Sequence, residues 1–316
     1  MKDFLEYSPE DVILANLNES SKRTDLLMEQ ELAHLRELAN EILSVGDLQE
    51  ILLSLPDHRP PATEPCNDVL DQNKPQLSEL HKIKRTQRAI LLSSMLGDLL
   101  VAKKKLSVDA FFSDAEPREK TEFVRVAYPK SGYADSAYLA FSPMMGDAHV
   151  VYTHSFVSAC EEVYNGVCDY CILPLENSSE GILPGFLRLI LRYDIKIVAT
   201  CEIIGREDFK TTRFALLRKE LLPTFESQDS ELFFSLLLPS LRELSSVLWA
   251  ATFFGHTLRT VFFLPNEGEK EHEGAYLTFS LQQKNLNSFL LYLAMEISYY
   301  TPLGFHRDIR THKKGK

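Results

Sequence analysis

Between residues 122 and 217, short β-rich runs alternate with helix-like stretches, and nothing else in the chain constrains its fold as tightly. Residues 124–128 (Val-Arg-Val-Ala-Tyr), 149–153, 169–175, 195–203 and 211–217 read as strands. Residues 135–141, a segment capped by Ser155 and running to about Tyr164, and residues 183–193 read as helices. Such alternation predicts a parallel-rich α/β sheet. Ligands of such sheets sit beyond the carboxyl ends of the strands. There the chain places Leu173-Pro174-Leu175-Glu176-Asn177-Ser178-Ser179-Glu180-Gly181: a carboxylate, an amide and two hydroxyls straight after an apolar run.

A different pattern follows a Pro/Ser/Glu/Asp-rich joint at residues 223–229. Residues 231–238 suit a strand, 240–253 a helix, 257–264 and 275–282 strands, 285–299 a helix and 303–306 a last short strand. This is the β-α-β-β-α-β order of the split βαβ arrangement. Upstream, Met28, Leu32, Leu35, Ala39 and Ile42 recur at helical spacing over residues 20–45, with Ser20, Ser21 and Thr24 as candidate caps. A Pro-rich linker spans roughly residues 54–77. A second helix is expected over residues 78–105, ending in Lys103-Lys104-Lys105, which suits a negative helix terminus. The expected units are 1–120, helical; 122–220, an α/β lobe; and 229–308, the β-α-β-β-α-β unit. A basic tail, residues 307–316, closes the chain.

A net charge of −11 argues against nucleic acid and anionic membrane as partners, because both select a basic face. The N-terminus lacks the charged-then-apolar pattern of a signal peptide, and no apolar run is long enough for a membrane span. Cys66, Cys160, Cys168, Cys171 and Cys201 are odd in number and irregularly spaced, which suits free thiols in a reducing cytoplasm. Cys168-Asp169-Tyr170-Cys171 has no second CxxC or His pair to complete a zinc site. His149, His154, His256 and His306 lie on different elements without ligand spacing, so each reads as a surface or satisfied core histidine. No metal and no cofactor is expected.

Three stretches, in one order, resemble the prephenate dehydratase family. Residues 127–134 (Ala-Tyr-Pro-Lys-Ser-Gly-Tyr-Ala) are similar to its opening Gly-Pro-x-Gly-Thr-(Phe/Tyr)-Ser loop. Residues 173–181 match its Pro-(Ile/Leu)-Glu-Asn-Ser-x-x-Gly motif, and Thr211-Thr212-Arg213-Phe214 matches its Thr-Arg-Phe motif. The resemblance implies an α/β fold: a truncated prephenate-dehydratase-like, periplasmic-binding-protein-like lobe followed by an ACT-like, ferredoxin-like βαββαβ domain. The N-terminal helices would then be a vestigial chorismate-mutase-like domain or an unrelated helical one, with Arg36, Lys84, Arg85 and Arg88 as candidate mutase cations by type.

The family decarboxylates and dehydrates prephenate to phenylpyruvate, a step of phenylalanine biosynthesis. By the resemblance, Thr212 would assist the departing hydroxyl. Asn177 and Ser178 would hold the ligand, Glu176 would orient the loop, and Arg213 and Lys130 would supply positive charge. Expected partners are a small aromatic or dicarboxylate ligand and a second copy of the chain. Several positions depart from the family pattern. Tyr128 and Ser131 stand where the family has glycines, Gly132 and Ala134 where it has hydroxyls, and Lys210 where it has Asn. The chain also runs almost directly from residue 199 to Thr211, leaving no length for a second lobe. A missing wall would have to come from the N-terminal helices or another subunit. The readings left open are an active dehydratase, a non-catalytic relative that binds an aromatic metabolite, and a dimeric scaffold.

Overall fold

The computed structural model describes residues 9–45, 79–102, 123–205, 210–221, 231–265 and 272–309. Two helices come first, α1 (Pro9–Val45) and α2 (Glu79–Ala102). The α/β part holds β1 (Val124–Pro129), α3 (Gly132–Met145), β2 (Ala148–Thr153), α4 (Phe156–Tyr164) and β3 (Tyr170–Asn177). It continues with β4 (Gly181–Ile182), α5 (Pro184–Arg192), β5 (Lys196–Ile204) and β6 (Thr211–Arg218). The last part holds β7 (Leu232–Leu238), α6 (Leu244–Phe253), β8 (Thr257–Pro265), β9 (His272–Ser280), α7 (Leu286–Glu296) and β10 (Thr301–Ile309). The linker region, the Lys103-Lys104-Lys105 run and Cys66 lie outside the described residues.

All strands among the described residues join one sheet in the order β2-β1-β3-β6-β5-β10-β7-β9-β8, with β4 hydrogen-bonded to β3. The expected α/β lobe is present, but its sheet is mixed rather than parallel-rich. β1 pairs in parallel with β2 and β3, whereas β6 is antiparallel to both β3 and β5. The cause is the short step from β5 to β6, which only a hairpin can make. Strands β7 to β10 keep the β-α-β-β-α-β order and pair antiparallel throughout, with spatial order β10-β7-β9-β8. β10 also pairs in parallel with β5, through Arg307↔Ala199, Asp308↔Thr200 and Ile309↔Cys201. One strand therefore belongs to both halves of the sheet.

Alternation along these strands builds two cores on opposite faces of the lobe. On one face Val126, Ile172, Phe214 and Leu216 pack against Phe141 and Met145 of α3. On the other, Leu173, Ala215 and Leu217 meet α4 and α5 through Val163, Leu187 and Ile190. Leu264, Tyr276 and Leu303 join that second core, so the C-terminal strands curl over the α5 face of the lobe. The opposite face of the C-terminal strands is covered by α6 and α7, with Phe234, Leu277, Phe279 and Phe289 at its centre.

Helix α2 lies on α7 at very short range: a Cβ on Gly97 would fall 2.1 Å from Ser288 Oγ. Helix α1 packs on this layer through Ala39, Ile42 and Leu43, and Leu35 is buried, whereas Leu26, Leu27 and Met28 are exposed. α1 is longer than the periodicity of residues 20–45 implied. Ser20 and Thr24 lie inside it, and the Thr24 hydroxyl donates to Ser20 O rather than capping an end. Arg85 and Arg88 do not converge: Arg85 bonds Glu296, and Arg88 pairs with Glu31.

Candidate functional site

The motif residues sit where β3, β4 and β6 meet. β3 runs two residues further than the sequence suggested, so Glu176 and Asn177 are its last residues rather than loop. Asn177 lies opposite Thr212, and Glu176 opposite Arg213. The chain then turns back into β4 through Gly181, whose φ of 74° is open to glycine without strain. Asn177 Oδ1 accepts the backbone N–H groups of Ser179 (2.9 Å) and Glu180 (2.6 Å). This is an Asx turn between two strands, not the cap of a following helix. Ser178 ties the turn to β6: its N–H donates to Thr211 O at 2.8 Å, and its Oγ accepts Thr211 N–H at 3.1 Å.

Backbone N–H groups thus engage Asn177 Oδ1 twice and Ser178 Oγ once. The Asn177 NH2 and the Ser178 O–H, both donors, take no part in these bonds. Ser131 has the same character. It caps α3, its Oγ accepting Ala134 N–H at 3.1 Å. Thr212, half-buried, is in step with Phe214 and so belongs to the α3 side of the sheet.

Lys130 follows β1. It is exposed, and its Nζ lies 5.3 Å from the centre of the Tyr152 ring, a cation–π contact. Tyr128 is buried between Tyr138 (ring centres 5.9 Å apart) and Tyr152 (5.5 Å). Burial, then the neighbouring Tyr152 and Asp135, pushes its phenol well above the usual range, so it stays protonated.

Arg213 does not join this group, because adjacent strand residues face opposite ways. It points to the α5 side and donates to Glu202 Oε1 at 2.6 Å. Burial disfavours its charge, but the Glu202 hydrogen bond and the carboxylates of Asp308, Glu202 and Glu176 outweigh that and raise its pKa. Arg213 and Glu176 line a narrow cleft of about 60 Å³. Thr200, Asp308 and His306 share its lining on the strand side, and Thr260, Tyr276 and Thr278 come from the curled-over strands β8 and β9. The wall facing Glu176 and Arg213 therefore comes from the C-terminal strands of the same chain, a source the sequence reading did not consider. It also missed His306, which is no satisfied core histidine. Its Nε2 meets Ser235 Oγ at 2.9 Å, while Nδ1 is buried without a partner among the described residues. Burial, aided by Arg213, lowers its pKa to about 3, so the ring is neutral at pH 7.

Among the described residues no group of His, Cys, Asp or Glu side chains converges to hold a metal, and no helix is long and apolar enough to cross a membrane. Cys160, Cys168, Cys171 and Cys201 are buried and form no disulfide among the described residues.

A mixed α/β lobe with its polar cluster at the ends of β3 and β6, sharing a sheet with a ferredoxin-like βαββαβ unit, defines the class of this protein. Residues 126–204 match the family model of prephenate dehydratase. No curated protein matches the chain. Among solved structures, the prephenate dehydratase of Streptococcus mutans is 22% identical, with a TM-score of 0.49 over 59% of this chain and 100% of that one. The Arthrobacter aurescens prephenate dehydratase in complex with L-Phe is 12% identical, with a TM-score of 0.46 over 58% of this chain and 90% of that one. A further similar structure is described as GqqA, a quorum-quenching acylase. It is 17% identical, with a TM-score of 0.43 over 58% of this chain and 94% of that one.

Proposed function

We propose that this chain is a divergent prephenate-dehydratase-like protein of aromatic amino acid biosynthesis that holds a prephenate-type dicarboxylate at the ends of β3 and β6. The observation that carries this reading is the state of the polar cluster. Asn177, Ser178 and Ser131 each have an acceptor engaged by backbone N–H, which orients their remaining donors without a ligand. Donors fixed in advance are what a site for carboxylates and a departing hydroxide needs. Thr212, opposite Asn177, is the donor to the departing hydroxyl in this reading. Lys130 supplies the mobile positive charge.

A second reading, a non-catalytic relative, is favoured by the first loop. Gly132 and Ala134 have no hydroxyl, and the Tyr128 ring is buried where the family carries glycine. Each lost donor to a carboxylate costs about 1–3 kcal/mol. Incubation of the full chain with prephenate separates the two. Under the first reading phenylpyruvate accumulates, and Thr212→Ala reduces the rate by roughly 10²-fold or more. Saturable prephenate binding without phenylpyruvate would establish the second.

Three further assignments belong to this reading. The units are taken as 1–120, 122–220 and 229–308. A homodimer through edge strand β8 is supported by exposed Leu258, Val261 and Phe263 beside Trp249 and Phe253 of α6. A cytoplasmic location is supported by four buried cysteines that form no disulfide among the described residues.

A further inference from the structure

Lys130 immediately precedes Ser131, one of the donors of the polar cluster, yet its side chain leans away from that cluster. Its ammonium lies over the ring of Tyr152, 5.3 Å from the centre, and pairs with no carboxylate among the described residues. Tyr152 belongs to edge strand β2, and the strand order is β2-β1-β3-β6. Asn177 and Thr212 therefore lie on the far side of β1 from Tyr152. At about 4.8 Å per strand, β3 is roughly 10 Å from β2 and β6 roughly 14 Å. An ammonium resting on Tyr152 is out of hydrogen-bond range of a ligand held between Asn177 and Thr212.

The ring itself is held in place. Tyr152 stands opposite Tyr128 in the β1–β2 ladder, and the two rings meet edge to face, 5.5 Å apart and at 83°. Tyr128 is buried and stacks on Tyr138, whose hydroxyl donates to Ala148 O at 2.9 Å. The Tyr152 hydroxyl reaches Asp135 Oδ1 at 3.5 Å. Three tyrosines thus form a stack tied at both ends, and its outermost ring is half exposed and carries the lysine. A ring already ordered by its neighbours loses no further side-chain entropy when a cation settles on it.

We propose that Tyr152 is a positioning residue that parks Lys130 beside the site, and that a dicarboxylate at the ends of β3 and β6 must draw the ammonium off the ring in order to be held by it. This rests on the reading of the Asn177 and Thr212 cluster as a dicarboxylate site and adds a control on that site. The contact made without ligand is lost in the complex, so Tyr152 lowers the affinity of the site by the strength of that contact.

The test is nuclear magnetic resonance of the full chain labelled with carbon-13 at the lysine ε carbons, with Lys130→Met identifying the Lys130 signal. Without ligand that signal should be shifted upfield by the ring. The shift should persist in Tyr152→Phe and vanish in Tyr152→Leu. On saturation with prephenate it should vanish in the chain that keeps Tyr152 as well. Thr212→Ala suppresses turnover in all titrations. In that background Tyr152→Leu should bind prephenate about threefold more tightly by calorimetry, and Tyr152→Phe equally well. A Lys130 signal that is unshifted without ligand overturns the proposal, as does equal or weaker binding by Tyr152→Leu. Should Tyr152→Leu fail to fold, the response of the Lys130 signal to prephenate needs no change at Tyr152 and carries the test alone. Absence of any prephenate binding overturns the dicarboxylate reading, and the proposal falls with it. Binding that leaves the Lys130 signal shifted overturns the proposal alone.

Discussion

His306 is where a single residue has the widest consequences. It sits where the halves of the sheet join, stacked on Phe233 with ring centres 5.5 Å apart and hydrogen-bonded to Ser235. Its folded pKa, about 3, lies below the ordinary value of 6.5. Between those values the unfolded ring takes up a proton that the folded ring refuses, so folding stability is complete above pH 6.5 and declines as pH falls toward 3. By pH 5 the loss from this one ring is on the order of 2 kcal/mol. His256, lowered to about 4 by burial, adds to the same slope. Urea midpoints measured at pH 7 and pH 5 should therefore fall in the wild type and fall distinctly less in His306→Gln. Parallel declines would remove His306 from the account. Sequence had marked Glu176, Asn177, Ser178, Thr212 and Arg213 because they are contiguous in two short motifs. His306, Thr200 and Asp308 carry no local signal. They reach the cleft only because β10 pairs with β5 more than a hundred residues after β5 in the chain, and no periodicity within a window records such a pairing.

At the scale of elements, helix α2 is held by buried Leu96 and Leu100 and by the close approach to α7 that Gly97 allows. Gly97 lies mid-helix, where alanine would ordinarily gain up to about 1 kcal/mol. Here the added methyl would meet Ser288 Oγ at 2.1 Å and its Cα at 3.1 Å, so sterics decide the sign. Gly97→Ala should cost about 1–3 kcal/mol and loosen α2 from α7. Adding Ser288→Ala, which removes the nearest atom, should recover part of that loss. Faster proteolytic cleavage within residues 79–102, slowed again in the double variant, is the readout; equal cleavage rates would show that the helices part without cost. Helix α2 itself was legible from composition, and so was the strand–helix alternation, since strands and helices leave different periods. The mixed character of the lobe sheet was less so. Apolar runs do not encode strand direction, and only the short step between β5 and β6 betrays the hairpin.

On the scale of the molecule, β10 makes one sheet of what the sequence reads as two units. It hydrogen-bonds to β7 through most of its length and to β5 through its last three paired residues. Gly304 permits this. Its φ is 148°, and a Cβ there would fall 2.1 Å from Ile197 O and 2.6 Å from Ile197 N. No side chain fits between β10 and β5 at that point. The two halves should consequently unfold together, because neither can lose β10 alone without stripping hydrogen bonds from the other. Trp249, on α6, is the only tryptophan and reports on the C-terminal half. Far-UV circular dichroism reports on both. In urea the two transitions should coincide for the wild type. In Gly304→Ala the clash acts on the β10–β5 seam, while the β7 side of β10 keeps its ladder. The tryptophan transition should then separate from the bulk transition, with the overall midpoint lowered. Coincident transitions in the variant would mean that the βαββαβ unit has no stability apart from the lobe. In that case the seam is a condition of folding rather than a joint between two folded bodies.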